Sequence, residues 1–253
     1  MHARIPHPWN PRGLIAAYAI AALLVLSYSV PATRALWDGL DAWIALDLNA
    51  LVRTSHAEQL FWASANLRVF DYVAALVLFG VLGIYVVAGR NAPRAERVAR
   101  TALIVVTLVV LVGLTREWLF TDVRRASPSL VLQPFTRLSA QVGFHVKDHS
   151  ARSFPGDHAT VVATFTFLVW CLAGRRYGLV SLVLATCCVL PRLVAGAHWF
   201  SDVLIGGVVT ALLTVPLVVF TPVHRLAVAA LLRLHAAGAA MRGRVSEDRR
   251  HPR

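Results

Sequence analysis

Three short clusters in this sequence hold the residue types that moving a phosphoryl group requires. They are Arg124-Arg125-Ala126-Ser127-Pro128, Ser153-Phe154-Pro155-Gly156-Asp157-His158, and Pro191-Arg192 followed by Ala197-His198-Trp199-Phe200-Ser201-Asp202. The chemistry needs a nucleophile, an acid for the leaving oxygen, and fixed positive charge on the equatorial oxygens. A histidine serves as the nucleophile when its second ring nitrogen is held by a carboxylate, which sets the tautomer and stabilises the developing imidazolium. His198 and Asp202 are four residues apart, a spacing that places both on one face at the head of a helix. His158 opens an apolar block, where it can protonate the leaving oxygen beside the free backbone N–H groups of a helix start. Arg125 and Arg192 supply planar, permanently charged forks matched to phosphate oxygens.

Each residue also has a plainer explanation. A lone histidine at the end of a membrane span is most often an interfacial residue. Arg192 resists that explanation, because it follows a Leu-rich run where an unpaired charge near hydrocarbon costs about 2.5–3.5 kcal/mol. An arginine, a histidine six residues on and an aspartate four beyond that, facing a Pro-Gly-Asp-His at another helix mouth, are jointly improbable as decoration.

The elements that must position these residues are apolar. Of the 253 residues, 57% are hydrophobic, and they fall in long uncharged blocks rather than in the alternating runs of a soluble core. Six blocks approach the length of a membrane span, at about 13–30, 69–89, 99–115, 158–174, 177–195 and 202–220. The first lacks a small-x-small cleavage site and is expected to be an uncleaved anchor. Lys and Arg flanking a span are retained on the cytoplasmic side. With the N-terminus inside, 15 of the 25 basic residues and only three of the 13 acidic ones fall in inner segments, leaving ten of each outside. All of the net charge of +12 is then cytoplasmic, and an even number of spans returns the C-terminus inside. The sequence thus predicts an all-α bundle of six transmembrane helices with both termini cytoplasmic. The three clusters lie together at the outer ends of spans three to six.

The basic balance does not mark a nucleic-acid binder, since the arginines sit at span boundaries and in a short tail without any such motif; anionic lipid headgroups are the expected partner. Cys171, Cys187 and Cys188 all lie within spans and are expected to be small buried apolar residues rather than disulfide or metal ligands. Two outer segments are long enough to form structure. In residues 31–68, Trp37, Leu40, Asp41 and Ile44 share helical spacing, as in an amphipathic helix at the interface, or as Trp markers of headgroup depth. Residues 116–157 carry the first two clusters. The membrane domain is therefore expected over 1–221, with a basic cytoplasmic tail over 222–253.

These motifs resemble the type 2 phosphatidic acid phosphatase superfamily, whose pattern runs Lys-x6-Arg-Pro, Pro-Ser-Gly-His and Ser-Arg-x5-His-x3-Asp. The third part is matched at Arg192, His198 and Asp202, with Pro191 in place of Ser. The second is matched at Pro155 and His158, with Gly156 and Asp157 in place of Ser-Gly. The first is matched at Arg125, but Trp118 stands where the lysine belongs, and Ala126-Ser127-Pro128 replaces the immediate proline. These departures are similar to one branch, the bacterial lipid A phosphotransferases, in which Arg-Ala-Ser-Pro, Ser-Phe-Pro-Gly-Asp-His and Gly-Ala-His-Trp-Phe recur together. Ala65-Asn66-Leu67-Arg68-Val69-Phe70-Asp71, Asn91-Ala92-Pro93-Arg94 and Val146-Lys147-Asp148 also resemble that branch.

The resemblance implies an enzyme of the inner membrane facing the periplasm, acting through a phosphohistidine at His198, with no metal and no cofactor. The terminal phosphate of undecaprenyl diphosphate would pass to the 1-phosphate of lipid A. Arg125, Arg192 and the Gly156-Asp157 turn would contact phosphate. For the missing lysine, Lys147, which is the only lysine in the chain, or Arg124, Arg116 or Arg152 would substitute; Asp157 would instead pair with an arginine or cap its helix. Two other functions compete. A hydrolase of undecaprenyl diphosphate would share almost every active-site residue and let water resolve the phosphohistidine. A lipid transporter would place charges along a mid-membrane path and break helices in matching positions, whereas the charges here gather at one face.

Overall fold

The computed structural model describes residues 9–115 and 123–250, with side chains omitted over 239–250. Each of the six apolar blocks coincides with a helical segment: α1 (Pro11–Ser29), α4 (Arg68–Ala88), α5 (Arg94–Leu114), α7 (Asp157–Leu172), α8 (Arg175–Val194), and a π-helical stretch Asp202–Val208 that runs into α9 (Val209–Val219). Two further helices, α2 (Pro31–Ala50) and α3 (His56–Ser64), follow α1, a four-residue turn α6 (Pro128–Val131) lies in the 116–157 segment, and α10 (Val223–Arg250) closes the chain. The described residues contain no strand.

Five of these segments are long and apolar enough to cross a membrane; α7, at 16 residues, is shorter. Ile15, Leu23, Leu76, Val87 and Val109 each leave about two-thirds or more of their surface open, which suits a lipid solvent and no aqueous one. The chain is a multi-pass helical membrane protein. Its short helix α7 is the central one, packed against α8, α5 and the α9 segment. A helix surrounded by protein does not itself have to match the bilayer thickness.

Breakers in the sequence set the helix ends. The Asn10 side chain accepts from Gly13 N–H at the start of α1, and Pro31 stands at the start of α2, where a missing N–H costs nothing. After α8, Gly196 at φ +71° sits where a left-handed residue ends a helix; Ala197 N–H reaches back to the Arg192 carbonyl and Gly196 N–H to that of Leu193. A Cβ on Gly196 would lie 2.3 Å from the Phe135 ring.

One end of the bundle is tied by polar side chains and a backbone N–H donating to helix-end carbonyls. Asn91 donates to Leu172 O and Ala173 O, Arg100 to Leu172 O, and Asn10 N–H bonds Phe220 O. The opposite end carries α2, α3 and the irregular segment through Gly156. Asn49 clamps that segment by donating to Thr136 O at 2.9 Å and accepting from Thr136 N–H at 2.8 Å. The Asp148 carboxylate accepts from Ser139 N–H, and Ser129 donates to its backbone carbonyl. Val52, Ala63, Leu138, Val146, Val194 and Ala195 form a small apolar cluster under this cap, separate from the main core along α4, α5, α7, α8 and α9.

Helix α2 corresponds to the amphipathic element expected in 31–68. Asp41 faces inward with 1% of its surface exposed, while Trp43 points out. The cysteines differ from expectation: all three are free, but Cys171 and Cys188 are only half-buried and Cys187 is exposed on α8, since a residue within an apolar helix can face lipid as readily as protein. The tail expected over 222–253 is helical in α10 as far as Arg250, and α10 packs against α5 and α9, with Val228 buried.

Candidate active site

The loop before the α9 segment, the loop before α7, and the end of α8 meet at one cleft of about 250 Å³ on the capped end of the bundle. His158, Arg192, His198, Lys147, Gly156 and Asp157 all line it.

His198 lies just outside the helix that begins at Phe200. Its Nδ1 is 2.7 Å from the Ser153 carbonyl oxygen, which can only accept, so Nδ1 carries the proton and Nε2 the lone pair. The Asp202 carboxylate stands behind at 3.7 Å, beyond hydrogen-bonding distance. The helical spacing brings the pair close without bonding it, because His198 precedes the first turn and both Asp202 oxygens are engaged elsewhere. Oδ2 accepts from Trp199 N–H at 2.8 Å and Oδ1 from Arg125 at 2.9 Å.

Arg125 is not among the cleft-lining residues. Its guanidinium lies behind His198, donating to Asp202, to Ser201 Oγ at 2.7 Å and to Asp41 Oδ2 at 2.6 Å, and stacking 4.7 Å over the Trp199 ring. Burial alone would push its pKa down; the hydrogen bond to Asp41 and the charge of Asp202 outweigh that and raise it above the ordinary guanidinium value. Ser201 completes the network by donating to Asp41 from both N–H and Oγ. Arg125 also reaches the site through its backbone: its carbonyl accepts from Ser153 N–H at 2.8 Å, and Ser153 in turn holds His198. Arg124 is exposed and does not line the cleft.

Arg192 is buried at 3% exposure, in the last turn of α8. Asn66, itself fully buried, accepts from it through Oδ1 at 3.1 Å and through its carbonyl at 3.3 Å, and donates to Pro191 O. The other arm of Arg192 pairs with Asp71. That same carboxylate lies 3.1 Å from His158 Nε2 and 3.4 Å from Lys147 Nζ. Lys147 thus joins Arg192 and His158 around one anion, and Arg152 also borders the cleft. Arg116 and Trp118 lie outside the described residues.

Gly156 precedes α7 at φ +75°, a left-handed conformation that glycine takes without strain. The turn brings Asp157 and His158 to the mouth of the cleft. Close packing of Gly206 against Pro155 and of Gly207 against Ala159 lets the π-helical stretch seat directly on this turn; a Cβ on Gly206 would lie 2.2 Å from Pro155 O.

Asp71, Asn66, Asp41 and Ser201 were not singled out by type and spacing. Asp71 carries the clearest signal of the four: a carboxylate in the first turn of a 21-residue apolar helix, where an ionisable group needs a partner. Asn66 carries only its place in the Asn66–Asp71 stretch.

A helical membrane bundle with a cleft at its capped end, lined by His158, His198, Arg192 and Lys147 among others, defines a class of phosphate-handling membrane enzymes. The chain belongs to the PAP2 superfamily, whose family model matches residues 103–225. It is 31% identical over 203 residues, 80% of this chain and 85% of the relative, to the lipid A 1-diphosphate synthase of Escherichia coli (strain K12). No solved structure matches it significantly.

Proposed function

We propose that this chain transfers the terminal phosphate of undecaprenyl diphosphate to the 1-phosphate of lipid A, through a phosphohistidine at His198. The observation that carries this reading is the His198 imidazole, whose Nδ1–H is fixed on Ser153 O so that Nε2 is the nucleophilic atom, in a cleft shared with His158, Arg192 and Lys147. Nε2 attacks the terminal phosphorus and the phosphorus–bridging-oxygen bond breaks, with its electron pair leaving on undecaprenyl phosphate. His158 supplies the proton that oxygen takes up. Arg192, Lys147 and the N-terminal turn of α7 balance the equatorial charge. A 1-phosphate oxygen of lipid A, giving its proton to the now neutral His158, then attacks the phosphohistidine phosphorus; the nitrogen–phosphorus bond breaks, its electron pair returns to Nε2, and His158 is again the acid. The choice of lipid A as acceptor is supported by the name of the Escherichia coli relative and by the Arg-Ala-Ser-Pro and Ser-Phe-Pro-Gly-Asp-His motifs.

In this reading the six helical segments are six spans, both termini are cytoplasmic, and the cleft opens to the periplasm of the inner membrane. Residues 1–221 form the catalytic domain and 222–253 its basic tail.

The test supplies purified enzyme with undecaprenyl diphosphate labelled in its terminal phosphate, with and without lipid A. Label should appear on lipid A and should not appear in His198→Ala. Label released only as inorganic phosphate would replace the transferase with a hydrolase using the same first half-reaction. Full transfer by His198→Ala would end the phosphohistidine mechanism altogether.

A further inference from the structure

Asp71 is not itself part of the cleft lining, but it touches three residues that are. A phosphate entering the cleft needs the guanidinium of Arg192, the ammonium of Lys147 and the imidazole of His158, and all three converge on this one carboxylate. The three cations and the anion come from four separate places: Asp71 from α4, His158 from α7, Arg192 from α8 and Lys147 from the segment before α7. With 20% of its side chain exposed, Asp71 is neither sealed in the core nor free in solvent.

We propose that Asp71 is a positioning residue that holds Arg192, Lys147 and His158 together around one carboxylate, yields the two cations to the incoming phosphate, and favours the imidazolium form of His158 over what its surroundings would otherwise allow. This rests on the proposed phosphohistidine reaction and adds to it a residue that touches the acid and the phosphate-binding groups rather than the reacting phosphorus.

Two physical arguments support it. The first is charge. Burial first, and then Arg192 from α8, His198 from the loop before α9 and Lys147 from the segment preceding α7, all disfavour a positive charge on His158. Its own helix contributes Asp157, and α4 contributes Asp71, 3.1 Å away on the Nε2 side. A carboxylate at that distance favours imidazolium, the form a general acid needs. The second is competition. Arg192 keeps its two contacts to Asn66 when Asp71 lets go, so its guanidinium stays in place while one arm turns to substrate.

The experiment compares wild-type protein with Asp71→Asn and Asp71→Glu. It reads kcat and KM against pH with labelled undecaprenyl diphosphate, and inhibition by orthovanadate as a phosphate mimic. In Asp71→Asn, orthovanadate should bind about tenfold tighter, because an anion competing for Arg192 and Lys147 has gone. At the same time kcat should fall at least about tenfold, and the alkaline limb of the rate profile should move down by about one pH unit or more. Asp71→Glu, which keeps the charge, should return the limb toward its wild-type position. Asp71 would be merely structural if orthovanadate bound no tighter, or if the limb stayed where wild type has it. Running His198→Ala alongside separates the two ideas. An inactive His198→Ala with an unaltered Asp71→Asn overturns only the role of Asp71, whereas an active His198→Ala overturns the reaction on which that role depends.

Discussion

A histidine can carry phosphate only when its idle nitrogen is committed, and here the commitment is to a backbone carbonyl. Because Ser153 O fixes the proton on His198 Nδ1, the carboxylate of Asp202, 3.7 Å away, acts on the imidazole through its charge and not through a bond. Asp202→Asn should therefore lower turnover by about 10–100-fold, well short of the ~10⁴ lost where a carboxylate alone sets the tautomer. Single-turnover rates of phosphohistidine formation decide it, and a 10⁴-fold fall would return the tautomer to Asp202. The Arg125 guanidinium is taken up by Asp41, Asp202 and Ser201 and does not line the cleft. Its removal as Arg125→Ala leaves the fully buried Asp41 and Asp202 without their shared cation, a change that costs about 3–5 kcal/mol. A melting temperature within error of wild type in detergent would contradict that. Arg125→Lys should fare little better, because one ammonium cannot serve Asp41, Asp202 and Ser201 in the fork geometry of a guanidinium. The sequence marks Arg125 as important from its motif but not which groups it meets, since those partners lie 76 to 84 residues away along the chain.

At the scale of elements, the apolar helices are legible in the sequence because lipid demands long apolar helical runs. Their polar ends are less so: hydropathy begins a block at residue 99, whereas α5 begins at Arg94, with Arg97 donating to Val86 O and Ala92 O. The cap over the cleft is illegible by periodicity, because it is held by side-chain bonds to distant backbone such as Asn49 on Thr136. Asp148 anchors it. Burial would push the Asp148 carboxyl up, but the hydrogen bonds from His149 and Ser139 and the charge of Arg137 outweigh burial and hold it below the ordinary carboxylate range. Its contribution is present above the unfolded value of about 3.9 and is lost as pH falls through the lower folded value. The melting-temperature gap between wild type and Asp148→Asn should therefore be full at pH 6 and shrink below about pH 4; a gap that persists there would place the effect in packing instead. Gly206→Ala tests the seat of α9. Its Cβ would lie 2.2 Å from Pro155 O, so the turn carrying Gly156, Asp157 and His158 must shift, and turnover should fall more than with Gly156→Ala, whose Cβ would meet His198 Nδ1 at 3.5 Å. The Gly156 substitution carries a left-handed backbone penalty of about 1–2 kcal/mol. Equal activities would show that the turn absorbs the displacement.

For the whole molecule, position across the membrane follows from charge while position within the bundle follows from packing. The motif residues could be assigned to one end from span count and basic flanks alone, and they do gather at one end, with Asn10, Asn91 and Arg100 tying the other. What charge cannot reveal is that α7 is central and short, since burial by neighbours leaves no mark on hydropathy. The proposed topology makes a prediction that the site chemistry does not. In a cysteine-free background, Gln141→Cys lies on the exposed surface of the cap, Arg94→Cys on the exposed start of α5, and Arg225→Cys on the exposed start of α10. With six spans and an inner N-terminus, a membrane-impermeant maleimide applied to cells with a permeabilised outer membrane should label Gln141→Cys. The other two should react only after the inner membrane is opened. Labelling of Arg94→Cys with Gln141→Cys would mean that α5 does not cross, and labelling of Arg225→Cys alone with Gln141→Cys would make the number of crossings between them even. The reverse of the whole pattern would turn the cleft toward the cytoplasm, where a periplasmic acceptor could not reach His198.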